Sequence, residues 1–225
     1  MTTKASVKIL ILSFFLASCV TVGHSREIAI EGYSPRFSGM TDDQIDLLKG
    51  TIQQLGALNP GEITMNKRVY QRLSRFEALF GFSLDGAKLV AWLLSRVKVF
   101  SYHNTWTVAV NQNRGTFIIG DAFFTELSEL ERLYLLIHEA RHSDGDGHKH
   151  RKCPEAFVFI SAGQPEKDLE RVFACDDGDQ GAYAFQSAFL FELYAYGLFD
   201  QTTIGLLYNS SAARMIPSSP SKYRS

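Results

Sequence analysis

The chain has 225 residues, 45% of them apolar, 12% aromatic and 21% charged, with a formal net charge of −1. These values suit one globular domain and exclude a disordered chain, a disulfide-dense miniprotein and a collagen-like fibre. Nearly balanced charge, with no run of Lys or Arg, also speaks against nucleic-acid binding.

At the N-terminus, Lys4 and Lys8 precede an apolar run, Ile9 to Ala17, that is too short to span a bilayer permanently. The run ends in Leu16-Ala17-Ser18-Cys19, which resembles the lipobox of bacterial lipoproteins. That resemblance implies a signal peptide at 1–18, cleavage before Cys19, and acylation of its thiol. Several acyl chains would hold the protein at a membrane durably. Val20 follows the cysteine, where an aspartate would be the usual inner-membrane retention signal. The resemblance therefore points to the outer membrane, if the host has one. The remaining cysteines, Cys153 and Cys175, form an even pair expected to bridge in an oxidising compartment.

Residues 19–40 read as a tether, 41–215 as a single domain and 216–225 as a flexible tail. Thr41-Asp42-Asp43-Gln44 fits a capping box opening a helix to about Leu55. Val69, Leu73, Phe76 and Leu79 continue at helical spacing until Gly81, and a second apolar helix spans Leu84 to Val97. Val97–Tyr102, Thr105–Val110 and Thr116–Ile119 read as short strands. Ser128 to Glu131 is another capping box, and its helix runs through Leu133, Leu136 and Ile137. Ala182 to Phe199 reads as a buried helix. The fold class is α+β, a small sheet packing on the helix that follows Ser128, with the 182–199 helix beneath.

Late in the Ser128 helix, His138 and His142 stand four residues apart on one face, able to reach one ion. Glu139 points about 100° round the helix, placed to act on water rather than to ligate. Gly145 can take φ > 0, end the helix and return His148 toward the ion. Residues 138–148 thus read His-Glu-x-x-His-x-x-Gly-x-x-His. This segment resembles the extended zinc signature of the metzincin metallopeptidases. The resemblance implies a zincin-like fold, one Zn²⁺ held by His138, His142 and His148, and Glu139 as general base on a peptide or protein substrate. It also implies a methionine turn, for which Met215 is the one candidate after the motif.

Alternatives for the third ligand stay open. Glu192 is the sole formal charge between Gly181 and Phe199 and competes with His148, as do Asp144 and Asp146. The spacing of Asp144, Asp146 and Glu155 does not make a calcium loop, because Lys149 sits where glycine is needed. Asp176-Asp177-Gly178-Asp179 reads as an exposed turn, His150 as solvated, Arg141 as a structural ion pair. Tyr183, Tyr194, Tyr196 and Tyr208 are each able to donate to an oxyanion or simply to pack. The expected activity is a membrane-anchored zinc metallopeptidase. Two other classes remain: an envelope lipoprotein with a non-catalytic zinc site, and a zinc amidase acting on cell-wall peptide.

Overall fold

The computed structural model describes residues 34–105, 109–111, 115–145, 149–155, 158–159 and 167–216. The expected signal peptide, Cys19, Asp146 and His148 lie outside those residues.

Helix α1 (Asp42–Ala57) starts at the expected capping box: the Gln44 amide donates to Thr41 Oγ1 (3.3 Å), and the Thr41 amide donates to Gln44 Oε1 (2.9 Å). Its Leu48, Ile52 and Leu55 are buried in the core. The predicted helix at 69–79 is two helices, α2 (Lys67–Leu73) and α3 (Phe76–Phe80). Ser74 breaks it, adopting an extended conformation with its hydroxyl donating to Glu192 Oε1 at 2.5 Å. Helix α4 (Gly86–Leu94) begins hard against the end of α1. A Cβ on Gly86 would lie 2.5 Å from the Gly56 carbonyl oxygen, so only glycine fits that crossing.

Four strands form a mixed sheet in the order β1-β2-β4-β3. Strand β1 (Arg36–Ser38), within the segment read as tether, runs parallel to β2 (Val99–Tyr102), which runs parallel to β4 (Thr116–Ile119). Strand β3 (Ala109–Asn111) closes the order antiparallel to β4. Phe100, Phe117 and Ile119 point into the core. After the short α5 (Asp121–Thr125), Ser128 caps α6 (Glu129–His142) with the expected reciprocal bonds to Glu131. Helix α6 packs between the sheet edge at β3 and helix α7 (Ala182–Ala195), with α1 and α4 also against it. Helix α7 is buried almost all round, as a helix apolar on every face must be.

Small strands complete the fold. Strands β5 (Arg151–Lys152), β8 (Phe173–Asp177) and β9 (Met215–Ile216) form a three-stranded sheet, and β6 (Val158–Phe159) pairs with β7 (Lys167–Asp168). Cys153 and Cys175 are bridged, with Cα atoms 5.1 Å apart. Helix α8 (Gln201–Ala212) packs on α7 and leads into β9. No helix among the described residues is long and apolar enough to cross a membrane.

Candidate metal centre

The capped start of α6 fixes which way its last turn faces, and that turn carries His138 and His142. His138 Nε2 lies 3.3 Å from His142 Nε2. The chain leaves the helix at Ser143, and Gly145 takes φ +124°, as its type allows. His150 then returns just before β5, placing its Nε2 3.1 Å from His138 Nε2. The ligand atoms of the three histidines all lie within 4.8 Å of one another.

Two nitrogens bound at 2.0–2.1 Å to one tetrahedral ion stand about 3.3 Å apart, so these spacings suit a shared cation. The hydrogen bonds behind the rings point the same way. Ser211 donates its hydroxyl to the Leu207 carbonyl (2.8 Å) and so accepts from the Gln186 amide nitrogen (2.7 Å). That orientation turns Gln186 Oε1 toward His138 Nδ1 at 2.8 Å, and the proton sits on Nδ1. Likewise His150 Nδ1 donates to the buried Asp176 Oδ1 at 2.9 Å. With Nδ1 of each ring engaged in this way, the two Nε2 atoms are turned toward each other, where one cation between them could take both. Protonating His138 is disfavoured, since burial and the neighbouring His142 and His150 hold its pKa well below the ordinary value. The donor set of three imidazoles suits zinc, with room for a fourth ligand.

Glu139 is buried beside this cluster. Its Oε2 accepts the Asn111 amide at 2.8 Å, while the Asn111 side chain donates to the Glu139 carbonyl (2.8 Å) and to Ser143 Oγ (2.7 Å). The edge strand β3 is thus fastened to α6 at its histidine-bearing end. Burial pushes the Glu139 carboxyl up to about 8, against the opposing pull of the Asn111 amide. A dication in the cluster would draw it back down.

His138, His142, His150 and Glu139 share one open cavity of about 800 Å³. Its other walls include Ala109 to Asn111, Tyr183, Gln186, Ser210 and Arg214. The Tyr183 ring stacks on His150 (centroids 4.9 Å apart) and meets the edge of His138 (4.6 Å). Burial raises the Tyr183 pKa above its ordinary value.

Several expectations change here. His150, expected to be solvated, joins His138 and His142. Glu192, weighed as a third ligand, is held elsewhere, its carboxylate accepting from Tyr70 (2.9 Å) and Ser74 (2.5 Å). Burial of that carboxylate is met by these two hydroxyl donors. Asp144 is tied into ion pairs with Arg96 (2.9 Å) and Arg141 (2.6 Å), which also bears out the structural role expected of Arg141. Met215 forms β9 beside β8 and does not line the cavity of the histidines. The 176–179 turn is only partly exposed: Asp177 pairs with Arg151 and Asp179 with Arg75, but Asp176 is buried at the centre. Of the four tyrosines considered, Tyr183 alone lines the cavity.

No protein-family model, curated protein or solved structure matches the chain.

Proposed function

We propose that the protein is a zinc-dependent hydrolase, a metallopeptidase in which His138, His142 and His150 hold one Zn²⁺ and Glu139 is the general base. The observation that carries this reading is the convergence of three imidazole Nε2 atoms with a buried carboxylate in one open cavity. The resemblance of residues 138–148 to the metzincin signature supports it, with His150 in place of His148 as the third ligand. Bound there, zinc would supply Lewis acidity and acidify water toward neutral pH.

The chain's own groups account for the rest of the reaction. Glu139 takes a proton from the attacking water at a carboxylate oxygen and returns it to the leaving amine as the C–N bond breaks. Its second oxygen stays fixed by the Asn111 amide. The Asn111 amide, turned to Glu139, is not used in the ladder with β4, so by the alternation of antiparallel pairs Ala109 turns its backbone groups the same way. An extended peptide laid along β3 would meet those groups, which favours a peptide substrate. The N-terminal Lys4, Lys8, apolar run and Leu16–Cys19 support export and lipid anchoring through Cys19.

The test is Glu139→Gln in the full chain, assayed on casein and on purified peptidoglycan with and without chelator. Zinc should remain stoichiometric while hydrolysis falls on the order of 10²–10⁴-fold. Undiminished cleavage would remove Glu139 from the mechanism. Cleavage of peptidoglycan alone would move the substrate to cell-wall peptide.

A further inference from the structure

We infer that Arg214 and Tyr183 form a carboxylate-recognition point in the metal cavity, so that the substrate is a peptide carrying a carboxylate within a residue or two of the scissile bond. This rests on the metallopeptidase reading and names the substrate class it takes.

Arg214 lines the same cavity as the three histidines. Its Nη1 donates to the Tyr183 hydroxyl, and its guanidinium lies over the Tyr183 ring, 4.8 Å from the centroid. Its backbone is fixed as well: the carbonyl accepts the Asp176 amide (2.8 Å), and the amide donates to the Ser211 carbonyl (3.1 Å). A guanidinium held this way loses little freedom when it takes up an anion, and its planar fork matches a carboxylate. Having accepted from Arg214, the Tyr183 hydroxyl keeps its own proton to donate.

Charge in the cavity favours the same kind of ligand. Among the described lining residues Glu139 is the sole carboxylate, against Arg214 and Lys149, before any dication is added. Lys149 is exposed, whereas Arg214 is partly buried and so less screened by solvent. Distance limits where the anion sits on the substrate. His138, His150 and the Arg214 guanidinium all contact the Tyr183 ring, each 4.6–4.9 Å from its centroid. An extended chain advances about 3.3–3.6 Å per residue, so the carboxylate falls one or two residues from the reacting carbonyl.

The experiment uses the full chain carrying Glu139→Gln, so that bound peptide is not consumed, and measures zinc content in every sample. Three probes are titrated calorimetrically: an acetylated trialanine with a free carboxylate, its amide, and an amide whose last residue is glutamate. At least one carboxylate-bearing peptide should bind tenfold or more tighter than the plain amide, and which one does so tells a C-terminal from a side-chain carboxylate. Adding Arg214→Gln should reduce that preference below threefold without changing zinc content, and Arg214→Lys should restore part of it. Equal binding of all three peptides overturns the inference. So does a preference that survives Arg214→Gln, which would assign the carboxylate to the metal. If no zinc is found, the metallopeptidase reading fails separately, and the same comparison on metal-free protein still decides the role of Arg214.

Discussion

The Asp176 carboxylate stands between the third histidine and the start of the most completely buried helix, α7. Its Oδ1 accepts from His150 Nδ1 at 2.9 Å, and its Oδ2 accepts the Tyr183 amide at 2.6 Å. Gly181 is needed beside it, since a Cβ there would lie 2.2 Å from Oδ2. One buried anion thus sets the tautomer of His150 and caps α7. Asp176→Asn can keep the amide bond to α7 but loses the charge that makes the imidazole a better donor to a metal. Zinc affinity should fall about 10- to 100-fold, read by competition against a chromophoric chelator. An unchanged affinity would confine Asp176 to capping the helix.

The assignment of His150 over its sequence rival can be decided by metal content. His150→Ala should purify without stoichiometric zinc, as should His142→Ala. His148→Ala should keep its zinc, and so should Glu192→Gln, whose carboxylate is engaged by Tyr70 and Ser74. Loss of metal from His148→Ala together with its retention in His150→Ala would return the third place to His148.

Much of this site was legible in the sequence because it is local. The i, i+4 pair His138 and His142 needs only a helix, and the Ser128 box announces one. Gly145 marks the reversal, and its positive φ agrees. The third member of the histidine cluster was not legible, because a loop can present either of two histidines two residues apart. What selects His150 is Asp176, 26 residues further on, brought opposite by the pairing of β5 with β8. A buried aspartate inside an acidic, glycine-bearing turn looks in sequence like any solvated turn. The same holds for Glu192: sequence shows a lone charge on an apolar helix, but not the hydroxyls of Tyr70 and Ser74 that satisfy it.

The disulfide joins the two segments that carry this pair. Cys175 immediately precedes Asp176, and Cys153 lies three residues after His150. Arg151 is paired with Cys175 in the ladder, so bridge and strands together hold His150 against Asp176. A Cys153→Ser, Cys175→Ser double variant should lose about 3 kcal/mol of stability in denaturant unfolding. Because the third ligand is then less confined, zinc should also bind about tenfold more weakly. Lower stability with unchanged zinc affinity would make the bridge a brace for the fold alone.

Without metal, the site should leave a mark on the pH dependence of stability, and the sign distinguishes its two buried groups. The Glu139 carboxyl is raised to about 8, above its ordinary value of 4.5, by burial. The folded state therefore holds a proton that the unfolded state has lost, and stability falls as pH rises between those values. His138 is shifted the other way by burial and by its two histidine neighbours. Below 6.5 the unfolded state binds the proton that folded His138 refuses, so its effect is to raise stability as pH climbs toward 6.5. Of these two groups Glu139 alone titrates between pH 6.5 and 8, and its contribution in the metal-free protein should fall by about 2 kcal/mol across that window. Glu139→Gln should flatten the loss, and zinc should abolish it in the unsubstituted chain by drawing the carboxyl down. The check is unfolding by denaturant at half-unit steps of pH with chelator present. A flat profile in the unsubstituted, metal-free chain would mean that Glu139 is ionised in the fold throughout, with its charge stabilised by something other than the metal.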